Sequence, residues 1–174
     1  MTKNLKNTRP IVIAGPCSAE SRSQVLSTAN ALKGHAHFFR AGLWKPRTRP
    51  NSFEGVGEEG LEWLVDVQKE VGIPVMTEVA DAKHVELALK YGLDAVWIGA
   101  RTTVSPFAVQ NIADALRGTD TPVLVKNPMH ADLKLWMGAI ERVSNSTKGE
   151  VFALHRGFSS YGQKKYRNAP MWEV

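Results

Sequence analysis

The chain has 174 residues, enough for one domain with a sizeable core. Its 43% apolar and 22% charged content is the balance of a soluble globular protein. No apolar run is long enough to span a membrane, and the polar residues 1–10 lack the apolar centre of a secretory signal. The cytoplasm is therefore the expected location, with no membrane partner. The net charge of +5 is not concentrated in a nucleic-acid motif, so a small anionic molecule is the expected ligand and nucleic acid is not. The single cysteine, Cys17, excludes an internal disulfide.

Apolar runs of strand length alternate along the chain with segments of helical period. A strand is expected over 11–14, then a helix over 21–32 and a second strand over 37–43. A helical region opens near Glu58 and extends to Val71, followed by a strand over 74–79. Asp81 precedes a helix ended by Gly92, and 95–98 forms a fourth strand. A helix over 106–116, a strand over 122–126, a helix over 133–143 and a sixth strand over 151–155 complete the series. Strands that are mostly apolar, each followed by a helix, predict a parallel sheet covered on both faces, within one domain spanning residues 1–174. A doubly wound sheet and a (β/α)8 barrel both fit. The absence of Gly-x-Gly-x-x-Gly after the first strand weighs against a dinucleotide-binding sheet, and six units fall short of a barrel's eight.

The most informative segment is Lys45-Pro46-Arg47-Thr48, which follows the second strand. Proline stiffens it, and with Arg40 and Arg49 it places four cations within ten positions, a pattern suited to a phosphorylated or carboxylated metabolite. Polar residues recur at the C-terminal end of every apolar run: Gly15-Pro16-Cys17-Ser18, Arg40, Thr77-Glu78, Gly99-Ala100-Arg101, Lys126-Asn127 and His155-Arg156. Strand C-termini form the active face of parallel α/β proteins, so Cys17, Arg40, Lys45, Arg47, Glu78, Arg101, Lys126, His155 and Arg156 are the candidate site residues. Cys17 reads either as a small buried residue or, after Gly-Pro, as a metal ligand or nucleophile. Lys126 is open as a Schiff-base amine, a phosphate clamp or a partner for Glu78. His155 fits a core histidine as well as a site residue. The run Lys164-Lys165-Tyr166-Arg167 reads as a mobile loop.

Taken in order, Gly15-Pro16-Cys17-Ser18-Ala19-Glu20-Ser21, Arg40 with Lys45-Pro46-Arg47-Thr48, Gly99-Ala100-Arg101, Lys126 and Arg156 resemble 3-deoxy-D-arabino-heptulosonate 7-phosphate (DAHP) synthase of class I. The Lys-Pro-Arg-Thr element separates it from the sibling octulosonate 8-phosphate synthases, which carry a Lys-Ala-Asn-type sequence there. The segments Arg49-Pro50-Asn51-Ser52-Phe53-Glu54-Gly55 and His155-Arg156-Gly157-Phe158-Ser159-Ser160-Tyr161 are similar to the branch fused to a chorismate mutase.

The resemblance implies a (β/α)8 barrel with about six units in this chain. The implied reaction is the metal-dependent condensation of phosphoenolpyruvate with erythrose 4-phosphate, the entry to the shikimate pathway. It makes Cys17 a ligand of a divalent metal such as Mn²⁺, which would polarise the aldehyde. Arg40, Lys45, Arg101, Lys126 and Arg156 become phosphoenolpyruvate contacts, with the Ala100 amide near its phosphate. Lys45, Pro46, Arg47 and Thr48 line the erythrose 4-phosphate loop, Lys45 serving both substrates, and Glu78 corresponds to an acidic residue near the reacting carbons; Lys45 and Glu78 are the implied catalytic residues. A homo-oligomer and a fused chorismate mutase domain are the implied partners. The family's other metal ligands, a His, a Glu and an Asp on strands seven and eight, have no counterpart here. The chain thus reads as a synthase truncated near Val174, expected to be inactive alone. A Schiff-base aldolase using Lys126 and a non-catalytic anion-binding fragment are the alternatives.

Overall fold

The computed structural model describes residues 10–47, 49–159, 161–162 and 170–173. Thr48 and the basic run at 164–167 lie outside the described residues. Short polar side chains set where the helices begin. Ser21, in extended conformation, accepts the Gln24 amide and starts α1 (Arg22–Leu32). Helices α2 (Glu59–Asp66), α3 (Ala82–Lys90) and α4 (Ala100–Thr103) follow. Ser105 accepts the Ala108 amide ahead of α5 (Pro106–Ala115), whose first residue is a proline that has no amide hydrogen to satisfy. Asp132 does the same for Leu135 at the start of α6 (Leu133–Ser144). Caps of this kind contribute about 1 kcal/mol each.

The strands are β1 (Ile13–Ala14), β2 (Phe38–Arg40), β3 (Val75–Val79), β4 (Ala95–Ile98), β5 (Val123–Lys126) and β6 (Val151–Leu154). They lie in the sheet in chain order. Ile13 pairs with Phe38, Phe39 with Val75, and Lys126 with Leu154, all in parallel ladders. Parallel neighbours in sequence order, each followed by a helix, follow the winding of a (β/α)8 barrel, with six of its strands present. Every residue of β3 and β4 is buried, which explains why these strands read as continuous apolar runs rather than alternating ones.

Packing groups the chain into two compact units. One comprises residues up to Val79 together with Lys83–Val96, and its core holds Phe39, Leu43, Leu61, Leu64 and Met76. The other comprises Ala80–Ala82 together with residues from Trp97 onward, around Ile98, Ile112, Leu116, Val123 and Val143.

Strands β1 and β2 are shorter than the apolar runs that contain them. His37 occupies the Val12 backbone, accepting its amide on Nδ1 and donating its own amide to the Val12 carbonyl. Beyond Arg40, the chain leaves the ladder to pair with its own loop, with Gly57 N donating to Leu43 O at 3.0 Å and Lys45 N to Glu54 O at 2.7 Å. Helix α2 runs directly into a π-helical turn (Val67–Val71), which the helical period alone does not announce. This wider turn buries Val67 and Val71 while Gln68 reaches the Asp94 carboxylate at 2.6 Å; the same carboxylate oxygen accepts the Val75 amide. The one-turn helix α4 was likewise not expected.

Gly15, immediately after β1, has φ +147, and a Cβ there would stand 2.0 Å from the Arg40 carbonyl oxygen. A side chain would have to push β1 and β2 apart at the point where both deliver their polar residues. Gly15→Ala is expected to destabilise the chain by about 3 kcal/mol, combining backbone strain with the displaced strand. Urea unfolding checks this; a loss below about 1 kcal/mol would mean that the two strand ends yield freely.

Candidate functional site

In the first unit, the turn after β1 and the end of β2 meet. Arg40 Nη1 donates to the Pro16 carbonyl at 3.1 Å. Lys45 Nζ donates to the Cys17 carbonyl at 2.8 Å and lies 3.4 Å from Cys17 Sγ. Gly42 leaves room for this lysine, since a Cβ there would fall 3.0 Å from Nζ and 2.8 Å from the Cys17 carbonyl oxygen. Arg47 is exposed, and its Nε donates to the Phe53 carbonyl at 2.6 Å. Gly55, at φ +99, lets the returning strand of the loop lie against Leu43, whose carbonyl oxygen would be 1.9 Å from any Cβ. Cys17, Arg40 and Lys45 thus lie together in this unit, with Pro46 and Arg47 following on the same loop.

Cys17 is exposed. Partial burial pushes its thiol up, but the charges and hydrogen bonds of Lys45 and Arg40 together outweigh this and hold it below its ordinary value. Behind it, the Ser18 hydroxyl is buried without a hydrogen-bond partner among the described residues. Glu78 lies on β3 and is buried, 7% exposed. Its neighbour Thr77 donates to the Ala41 carbonyl at 2.9 Å, fixing β3 against the exit of β2.

In the second unit, Ala100 and Arg101 open α4 directly after β4, where the first amides of a helix have no intrahelical acceptor. Lys126 ends β5, its Nζ 5.2 Å from the centre of the Trp97 ring, within cation–π reach. Asn127 is fully buried and ties two strand ends together. Its Nδ2 donates to the Pro128 and Gly157 carbonyls, and its Oδ1 accepts the Arg156 amide at 2.6 Å. Lys126 is paired with Leu154 in the ladder, and Asn127 directly after it holds the backbone of Arg156 beyond the end of β6. His155 sits among Trp136, Phe158 and Trp172; its Nε2 accepts the Met171 amide at 3.0 Å, while its Nδ1 is buried without a hydrogen-bond partner among the described residues.

Asn127 had no assigned role in the sequence reading, although a polar residue directly after an apolar strand was its signal. Trp44 and His84 gave no signal at all. Their rings stack in the first unit with centroids 3.9 Å apart and planes 13° from parallel.

A divalent metal needs several donors around one point. Among the described residues, no three His, Cys, Asp or Glu side chains form such a group. Cys17 is flanked by cations instead, so these residues do not by themselves fit a metal, and Cys17 remains one proposed donor.

A model of the DAHP synthetase I family matches residues 3–174. The chain belongs to that family. The phospho-2-dehydro-3-deoxyheptonate aldolase of Thermotoga maritima is 32% identical over 90% of this chain, which spans 45% of that relative. The 2-dehydro-3-deoxyphosphooctonate aldolase of Bordetella petrii is 40% identical, but over only 43% of this chain and 29% of its own length. The crystal structure of the Thermotoga DAHP synthase superposes with a TM-score of 0.78 at 29% identity, covering 92% of this chain and 45% of that one. A truncated form of the same organism's enzyme gives 0.74 at 28% identity, with 92% and 57% covered. This DAHP synthetase I family member thus spans about half the length of the relatives it matches end to end, and its strands are those of a partial (β/α)8 barrel.

Alkylation of Cys17 tests the electrostatics of the first cluster. The cations stabilise the thiolate, so the rate with iodoacetamide should rise with pH at a midpoint below that of an unperturbed cysteine measured alongside. Lys45→Met removes the nearest positive charge and should move that midpoint upward. A midpoint unchanged by the substitution would show that the lysine does not act on the thiol.

Proposed function

We propose that this chain carries the substrate-binding residues of a 3-deoxy-7-phosphoheptulonate synthase, condensing phosphoenolpyruvate with erythrose 4-phosphate at the entry to the shikimate pathway. The observation that carries the reading is how the cations are held. The side chains of Lys45 and Arg47 donate to backbone carbonyl oxygens, and Lys45 Nζ also lies near the Cys17 sulfur. A carbonyl orients a cation without cancelling its charge, which is what a doubly anionic substrate requires. Coverage of this chain by the heptonate relative, twice that by the octonate relative cited above, supports the choice between the sibling reactions.

Phosphoenolpyruvate presents a carboxylate and a phosphate, and Arg101, Lys126 and Arg156, with Arg40 and Lys45, are the proposed contacts for both. The Ala100 amide adds a donor near the phosphate. Arg47, with Pro46 and Thr48 on the same loop, takes the phosphate of erythrose 4-phosphate. In the proposed reaction the enol carbon attacks the aldehyde carbon, and positive charge develops at the carbon bearing the phosphate ester. Water adds there, and the C–O bond to phosphate breaks. Lys45 places positive charge where the aldehyde oxygen becomes an alkoxide, and Glu78 is the proposed carboxylate beside the reacting carbons. The Trp97 ring lies within cation–π reach of Lys126 Nζ, which suits a cationic clamp on phosphate.

Calorimetric titration of the chain with each substrate tests the division of the site. Arg47→Ala should weaken erythrose 4-phosphate binding by about tenfold, the size of a lost charge-assisted contact, with phosphoenolpyruvate changed less than about twofold. Equal losses would show the division to be wrong, and failure of the unaltered chain to bind either substrate would overturn the reading. Borohydride trapping separates the aldolase: a covalent adduct at Lys126 would favour it.

A further inference from the structure

The loop that carries Lys45 and Arg47 is closed on itself by three hydrogen bonds: Lys45 N to Glu54 O, Gly57 N to Leu43 O, and Arg47 Nε to Phe53 O. None of these fixes the loop to the helices around it. Leu43 and Val56, at its two ends, lie against Gly60 of α2, and Trp44, next to the cations themselves, stacks on His84 of α3 with 3.9 Å between ring centres and planes 13° from parallel. Trp44 is the residue immediately before Lys45, and His84 lies in the first turn of α3, which packs with this unit through the fully buried Val85. Both rings are half-buried. A tryptophan held flat has little freedom at χ1 and χ2, so its backbone, and the backbone of the next residue, is held with it.

We propose that His84 is a positioning residue for the cationic loop: its ring clamps Trp44, and through Trp44 it sets where Lys45 and Arg47 are presented. The consequence for sugar-phosphate binding rests on the function proposed above, but the clamp itself does not. His84 touches no substrate in this scheme and acts only through its neighbour.

Trypsin reads the clamp directly. Lys45 and Arg49 are each followed by proline, which blocks cleavage, so the loop offers a single tryptic bond, the one after Arg47. The bond after Arg142, inside α6, serves as the reference for general unfolding. The readout is the ratio of the two cleavage rates in the full chain. His84→Ala should raise the ratio about tenfold or more, as local opening without global unfolding does, and Trp44→Ala should do the same. His84→Phe keeps a ring on Trp44 while removing the imidazole nitrogens, and it should return the ratio to near the unaltered value. A ratio that fails to rise in either alanine variant overturns the proposal, and so does a phenylalanine variant that behaves like alanine. Erythrose 4-phosphate is then added to the unaltered chain. If His84→Ala raises the ratio but the sugar phosphate does not slow cleavage after Arg47, the clamp stands and the ligand assignment fails.

Discussion

Positive charge is difficult to concentrate, because neighbouring cations repel and each gains by finding a carboxylate. The first unit resolves this by giving Lys45 and Arg47 backbone oxygens as partners, while Arg40 donates to the Pro16 carbonyl. Backbone oxygens are available there only because strands end at that point: Pro16 and Cys17 follow β1, and Phe53 lies in the loop that returns along Leu43. Removing a strand end from the ladder thus does two things at once. It frees a carbonyl, and it aims that carbonyl at a cation from the neighbouring strand. Gly42 is small for the same reason, since a side chain there would fall on the Cys17 carbonyl oxygen and on the lysine itself.

The second unit uses a different device. Asn127 is buried, and a buried amide left without partners costs on the order of 1–3 kcal/mol, so its hydrogen bonds to Pro128, Gly157 and Arg156 are mutually enforcing. The result is a rigid link between consecutive strand ends, in place of the flexible loops that usually carry binding residues. Elsewhere on the chain charge has an ordinary structural task. Arg22 bridges to Asp66 and Glu70 on the surface, a pairing screened by solvent and worth little to stability.

How much of this was readable from the sequence depended on the range of the interactions involved. Helix starts at Ser21, Ser105-Pro106 and Asp132 are written in a few adjacent residues, and the structure begins α1, α5 and α6 directly after them. Strand positions followed from apolar runs, because β3 and β4 are buried throughout. Strand lengths were not readable, since β1 is cut short by His37, far away in sequence. The candidate cations were visible as residue types at strand ends, and the grouping of Cys17, Arg40 and Lys45 agrees with that reading. Their partners were not visible, because a carbonyl oxygen leaves no mark in a sequence. The Trp44–His84 stack was invisible for a related reason: it joins a loop to a helix with no periodic pattern linking the two.

Cys17 is the only thiol in the 174 residues, it is exposed, and the charges beside it favour its thiolate. In a concentrated sample without reductant, dissolved oxygen takes two electrons from one such thiolate to give a sulfenic acid, and the thiolate of a second copy displaces hydroxide from it to close a disulfide. The covalent pair so formed would join two molecules beside Lys45 and Arg40 and obstruct the proposed anion site of each. Its mass would imitate a native dimer in any sizing experiment, while its ligand binding would be that of a blocked protein. Samples kept reduced would keep the opening clear, and the fraction of linked chain on a gel run without reductant would measure how much of the site had been lost.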